Sequence, residues 1–294
     1  MGERPPNPRA ESAVQDAESP TGLIDSLDSI PPLPATAAKL LQMASDPDVE
    51  IDALAALIER DPPLSARMLG VANSAFYAPR RPVLNIKQAI VGVLGLNMVR
   101  NMAVGMAVTG RLDTGACPAF DLERYWVLAL GTADLAGGLA RAASAADAPD
   151  PDAAYLTALL HNIGELVMVH LWPEQTNAAI ARAAADPDIS PWAHEREVVG
   201  IDRWAAGARL ARHWGLPPLL AECIEAYPAA GEPQGQAGAT LRLVRAARIW
   251  LEGVMVGREE VLRVAGVDDT YCEYRSTGFL DRYEALRSLA RSMH

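Results

Sequence analysis

The stretch ERDPPLSARMLGV, residues 59–71, indicates the fold class. Asp61 can accept hydrogen bonds from the free amides of a first helical turn, and Pro62 occupies a position that needs no donor. Apolar side chains then follow at spacings of three and four residues, which places them on one helix face: Leu64, Met68 and Val71. The segment therefore predicts a helix that begins after Asp61 and buries its apolar side.

Similar helix starts recur along the chain, at Asp52, Asn85, Asp121, Asp152, Ser190-Pro191 and Asp202. No stretch alternates apolar and polar residues between turn signals, so no strand pair is predicted. We expect roughly a dozen helices. The longest runs from Asp121 to Ala143 and contains Gly137-Gly138, which permits a kink or the close approach of a neighbouring helix. The predicted fold class is all-α.

The charge balance argues against nucleic acid as a partner. The chain has 37 acidic and 26 basic residues in 294, a net charge of −11, which repels polyanions. Its three cysteines lie far apart and form no CxxC pair, so neither a disulfide framework nor a zinc site is predicted: Cys117, Cys223 and Cys272. We find no signal region and no apolar run of the ~20 residues that a spanning helix needs. We therefore expect a cytoplasmic protein without membrane association.

Composition also divides the chain. Residues 1–23 are rich in Pro, Glu, Ala and Ser and predict a disordered leader. Residues 147–152, with two prolines, predict a hinge, and 229–238 form a second polar loop. Three further helices are expected after that loop, near 239–252, 258–265 and 279–292.

The stretch YLTALLHNIGEL, residues 155–166, resembles the core of the HD superfamily of metal-dependent phosphohydrolases. That superfamily holds a divalent metal with an adjacent His-Asp pair, an upstream histidine and further downstream ligands. Here His161 is followed by Asn162, whose neutral amide offers only a weak carbonyl ligand. No histidine precedes His161, and Arg203 stands where the related pattern often has histidine. We predict a vestigial HD position at His161 and Asn162, with no catalytic residue, metal ligand or cofactor.

The histidines have simpler structural interpretations. We expect His161 to be buried and hydrogen-bonded inside a helical core. His170, His194 and His213 have no partner at helical spacing, so surface or satisfied core roles are expected. No GxSxG elbow or phosphate-binding glycine loop suggests another reaction.

Several separated motifs, arriving in order, resemble the HDOD domain family: residues 30–34, 39–41, 45–48, 53–69, 72–77, 89–90 and 94–96. The resemblance implies an N-terminal helical bundle, 24–115, packed against a degenerate HD-like helical part, 116–228. We expect 229–294 to be a C-terminal helical extension packed on the HD-like part. Members are bacterial signalling modules, usually without hydrolase activity.

The expected function is therefore a non-catalytic signal-transduction or regulatory role through a protein partner, whose identity and stoichiometry the sequence leaves open. One alternative is a metal-dependent phosphohydrolase with an atypical site that includes His161 and Glu165. Another is a nucleotide-sensing module related to cyclic di-GMP, suggested by arginines for which a solvated face is the more common explanation: Arg80, Arg81, Arg242, Arg245 and Arg248. A partner would dock at the junction of the two helical parts or at the loop 73–82.

Overall fold

The computed structural model describes residues 30, 32–44, 49–110, 112–143 and 148–293. Within these ranges all regular secondary structure is helical, which confirms the all-α class. The predicted leader 1–23, the segment 24–29, the motif at 45–48 and the first residue of the predicted hinge lie outside the described residues.

The N-terminal helices are α1 (Ala35–Ala44), α2 (Ile51–Glu59), α3 (Pro62–Ala72), α4 (Ile86–Ala89), a π-helical turn (Ile90–Leu94) and α5 (Leu96–Thr109). The next seven are α6 (Leu122–Ala142), α7 (Pro151–Leu160), α8 (Ile163–Leu171), α9 (Pro173–Ala185), α10 (Pro191–Val198), α11 (Arg203–His213) and α12 (Pro218–Ala226). The described chain ends with α13 (Gly235–Met255), α14 (Asp269–Leu280) and α15 (Tyr283–Arg291).

Side-chain caps start many of these helices where the sequence predicts them. Asp61 accepts a hydrogen bond from the amide of Leu64 at 3.1 Å, and Asp202 accepts from two amides of the first turn of α11. Asn85 and Asp121 cap α4 and α6 in the same way. The starts predicted at Asp52 and Asp152 are wrong. Glu50 is the N-cap residue of α2, which begins at Ile51, and Asp150 caps α7, where Pro151 takes the first helical position.

Helix α6 lies at the centre of the fold. It packs against α7 and against α13, α14 and α15, and α5 contacts α7, which joins the N-terminal helices to the rest. One continuous cluster of buried apolar residues runs through all these elements.

Two glycines bring α8 and α11 together. A Cβ on Gly164 would lie 1.7 Å from the carbonyl oxygen of Arg203, and one on Gly207 would lie 3.0 Å from the amide nitrogen of Gly164. The two backbones therefore touch, and this contact positions Glu165 beside Arg203.

The helix predicted at 258–265 is wrong, since this segment is a loop that leads into α14. Gly257 and Gly266 flank it with positive φ angles of 75° and 85°. Long-range hydrogen bonds replace those of a helix: Trp250 donates to the carbonyl of Glu260 at 2.5 Å, and the amide of Leu262 donates to Ser276 Oγ at 2.9 Å.

One described stretch, Pro151–Leu171, is apolar and long enough by composition to cross a membrane, although no such run was expected from the sequence. It consists of α7 and α8 with the His161-Asn162 turn between them. In its most apolar window, 83% of residues are buried inside the fold, as in the core helices of globular proteins.

Candidate functional site

His161 and Asn162 occupy the turn between α7 and α8, and each is 1% exposed. The prediction of a buried, hydrogen-bonded histidine is confirmed. Nδ1 of His161 lies 2.5 Å from the carbonyl oxygen of Ala158. Because a carbonyl can only accept, Nδ1 carries the proton and Nε2 is left as the acceptor.

Arg248 occupies the position in front of that acceptor. Its Nη1 donates to His161 Nε2 at 2.7 Å, and its side chain is 7% exposed. Burial first, and then the Arg248 guanidinium, hold the pKa of His161 well below its ordinary value of 6.5. The imidazole is therefore neutral at physiological pH.

This arrangement does not fit a metal ion. A metal on Nε2 would lie about 2 Å from that nitrogen, a space that the guanidinium fills with a positive charge. Within the described ranges, no three His, Cys, Asp or Glu side chains converge in a way that could hold an ion. Both amide atoms of Asn162 are buried without a hydrogen-bond partner among the described residues.

Arg203, at the start of α11, holds two carboxylates. Its Nη1 lies 2.9 Å from Glu165 Oε1, and its Nε donates to Glu195 Oε1 at 2.7 Å. Its own amide donates to the other Glu195 oxygen at 2.9 Å. Burial by itself would lower the pKa of Arg203, but Glu165 and Glu195 outweigh it and the pKa is raised. An ion cluster of Arg203, Glu165 and Glu195 therefore occupies the position where the HD-related pattern often has a histidine.

Two aromatic rings cover His161. Trp204 and Tyr227 stack with their centroids 3.9 Å apart and an interplanar angle of 10°, and the imidazole lies 5.9 Å from the Tyr227 ring. The guanidiniums of Arg245 and Arg248 lie over Tyr227 and Trp204 at 5.7 and 5.8 Å.

A cavity of about 900 Å³ opens beside this group. All the residues that line it have numbers between 119 and 258, so none belongs to the N-terminal helices. The cavity is therefore not at the junction of the two helical parts, where we expected a partner to dock. Among the five arginines singled out in the sequence, Arg245 and Arg248 line it. Arg242 is exposed and pairs with Glu232, while Arg80 and Arg81 are exposed in the loop 73–82.

The other three histidines in the described part of the chain stay apart from this site. His170 Nδ1 accepts from the amide of Asp113 at 3.0 Å, His194 Nε2 lies 3.4 Å from the carbonyl of Asp186, and His213 is exposed. These positions match the surface or satisfied core roles expected of them.

Sequence reasoning did not assign roles to Trp204, Glu195 or Arg248 in this site. Trp204 directly follows Arg203, a position compared above with the HD pattern. A large aromatic ring next to a degenerate ligand position was the signal that could have assigned Trp204 to the site. Arg248 lies 87 positions from His161, and no local pattern could have paired them.

The fold and the degenerate HD position define an all-helical protein of the HD-like class. The HDOD domain model matches residues 30–229, more than half of the chain, and the chain belongs to that family. Arg248 lies beyond the matched region, so the partner of His161 comes from the C-terminal helices.

Solved structures show the same architecture. A "putative signal transduction protein" from Marinobacter aquaeolei VT8 is 28% identical with a TM-score of 0.77, over 92% of this chain and 61% of that one. A "putative phosphohydrolase" from Shewanella amazonensis SB2B is 26% identical with a TM-score of 0.72, over 91% and 97%. An HDOD domain protein of unknown function from Geobacter sulfurreducens shares the fold at 22% identity and a TM-score of 0.71, over 94% and 97%.

Among curated proteins, an uncharacterized protein of Treponema pallidum (strain Nichols) is 28% identical over 217 residues. The match takes in 73% of this chain but only 40% of the relative. The chain thus spans well under half of that relative's length.

Proposed function

We propose that this chain is a non-catalytic, cytoplasmic regulatory protein that acts in bacterial signal transduction by binding a protein partner. The observation that carries the proposal is the hydrogen bond from Arg248 to His161. Hydrolysis of the HD type depends on a metal that activates water. Here a guanidinium uses the histidine nitrogen that such a metal needs.

The relative from Marinobacter, which is described as a signal transduction protein, supports a signalling role at 28% identity. The net charge of −11 favours a protein partner over nucleic acid. Two large apolar side chains near α4, Leu84 and Val91, are 75% and 69% exposed. Burial of such exposed apolar side chains would favour binding, so we propose Leu84 and Val91 as contact residues for a partner.

The Shewanella relative favours a second candidate, a phosphohydrolase. That function would require His161 and Glu165 to act on a metal or water. Glu165 is instead committed to Arg203 at 2.9 Å, and His161 to Arg248. We therefore place this candidate second.

An assay of phosphoester hydrolysis distinguishes the two candidate functions. The full chain is incubated with manganese or ferrous iron and with p-nitrophenyl phosphate or its bis-ester, and unfolding temperature is recorded with and without metal. We expect no turnover above metal alone and no metal-dependent shift. Turnover that disappears in His161→Ala but persists in His170→Ala, a histidine outside the site, would overturn the non-catalytic role.

Partner binding is tested by co-purification from cytosol of the native organism. We expect a protein to be retained by the wild-type chain, and lost with the double variant Leu84→Glu and Val91→Glu. The matched control is Tyr274→Glu, which changes an equally exposed side chain on α14. Retention that survives the double variant would exclude this surface, and no retained protein would count against a protein partner.

A further inference from the structure

We infer that the cavity beside His161 binds a small organic anion that carries a planar aromatic ring. The inference goes beyond the proposed function, because a chain without hydrolase activity can still hold a ligand. A chain that binds no ligand could equally still bind a protein partner, so each proposal can fail alone.

The size and wall of the cavity fit such a ring. Ligand pockets commonly enclose roughly 300–1,000 Å³, and this cavity encloses about 900 Å³. Ile249 and Val256 lie on its wall and are 66% and 70% exposed, so both leave apolar area uncovered there. Trp192 and Ile180 add further apolar surface. A bound ring would cover this surface.

The charge of the wall is opposite to that of the whole chain. The net charge of the chain is −11, whereas the wall holds five arginines and four acidic residues, a balance of +1. The arginines are Arg124, Arg203, Arg245, Arg248 and Arg258, and the acids are Asp121, Glu165, Glu195 and Glu252. The wall is therefore a local positive region on an acidic protein, which favours an anion.

The arginines of the wall are compensated to different degrees, and Arg124 and Arg248 both pair with Glu252. Arg203 binds both Glu165 and Glu195. Arg245, in contrast, donates mainly to the backbone carbonyls of residues 226, 227 and 229, which carry no net charge, and its contact with Glu232 is 4.0 Å long. The positive charge of Arg245 is thus only weakly compensated and acts on the cavity.

Two residues of the wall also carry buried donors without a partner in the described part of the chain: Trp204 Nε1 and Tyr125 Oη. An indole nitrogen can only donate, so it calls for an acceptor. Both side chains are 2% exposed, so their rings would have to move for a ligand acceptor to reach these atoms. Such a contact would relieve the cost of an unpaired donor.

The probe for this inference is 8-anilinonaphthalene-1-sulfonate, an aromatic anion whose fluorescence rises in apolar surroundings. Its uncharged analogue, N-phenyl-1-naphthylamine, has nearly the same ring system. We expect the full chain to bind one sulfonate probe, and to bind the uncharged analogue about tenfold more weakly. Equal or tighter binding of the analogue would overturn the preference for an anion.

Two variants, each with its own control, locate the binding. Ala183→Trp fills the cavity from α9 and should reduce the affinity for the sulfonate probe by about tenfold. Ala181→Trp makes the same change on the exposed side of the same helix and should have no effect. Arg124→Gln should weaken binding by about threefold, as suits an exposed charge, whereas Arg182→Gln, away from the wall, should not.

Absence of saturable probe binding, or binding that Ala183→Trp leaves unchanged, would overturn the inference. Competition then identifies the source of the anion. Displacement by guanosine monophosphate or cyclic di-GMP would support a nucleotide ligand. Displacement by indole-3-acetate alone would support a non-nucleotide aromatic acid, and failure of all three to displace a bound probe would contradict a natural ligand of this class.

Discussion

Arg248 donates from Nη1 to Nε2 of His161 across 2.7 Å, although 87 positions separate the two residues. The same guanidinium pairs with Glu252 at 3.0 Å, and Glu252 also lies 3.6 Å from Arg124. His161 is thus connected, through hydrogen bonds and ion pairs, to α13 and to the start of α6.

The first prediction concerns the energy of this pair. A buried hydrogen bond to a charged group contributes about 1.5–3 kcal/mol. A double-mutant cycle of His161→Leu and Arg248→Met, followed by urea unfolding, should give a coupling energy of that size. The control cycle pairs Arg248→Met with His170→Leu and should be additive within about 0.5 kcal/mol. Additivity in the first cycle would mean that the hydrogen bond contributes nothing.

The second prediction is a dependence of stability on pH. The pKa of His161 is well below 6.5 in the folded chain, so below pH 6.5 the unfolded chain binds a proton that the folded chain does not. Stability should therefore fall as pH drops below 6.5, by about 1.4 kcal/mol per pH unit from this group alone, until the folded pKa is reached. His161→Gln should remove that part of the slope in urea titrations between pH 7.5 and 5.5. An equal slope in both proteins would contradict the assignment.

The third prediction tests the contact between α8 and α11. Gly164→Ala puts a methyl group 1.7 Å from the carbonyl of Arg203 and should destabilise the fold by about 3 kcal/mol. Gly278→Ala, in α14, meets nothing within 4 Å and should stabilise the fold by about 0.5–1 kcal/mol. Thermal unfolding of the two variants should therefore move in opposite directions. A tolerated Gly164→Ala would show that the two helices are further apart.

The fourth prediction concerns the unpaired amide of Asn162. Since both polar atoms are buried without a partner in the described residues, Asn162→Leu should be neutral or stabilise the chain by up to about 1 kcal/mol. Asn162→Ala removes the same polar atoms but also volume, and should destabilise it. Chemical denaturation of the three proteins separates the two effects. A marked loss of stability in Asn162→Leu would reveal a partner for the amide.

Local signals in the sequence are enough to predict most helix starts. Asp61, Asn85, Asp121 and Asp202 each cap the helix that follows them, because a short polar side chain satisfies amides within its own first turn. The buried state of His161 also follows from its apolar surroundings in the sequence. These features depend on residues a few positions apart.

Features that depend on distant residues could not be predicted in this way. The loop at 258–265 has apolar residues at helical spacing, yet Trp250 and Ser276 from neighbouring helices take its hydrogen bonds. The contact of Arg248 with His161, and the cavity beside it, arise only when α13 packs on α6. Arg248 was singled out in the sequence among other arginines, but its contact with His161 could not be seen there.

The metal content of the purified chain tests the central claim most directly. Protein prepared without chelator is analysed for manganese, iron and zinc, together with Asn162→Asp, which restores the acidic residue of an HD pair. Because Arg248 still holds His161 Nε2, we predict far less than one metal ion per chain in both proteins. One tightly bound ion per chain that is lost in His161→Ala would contradict the account.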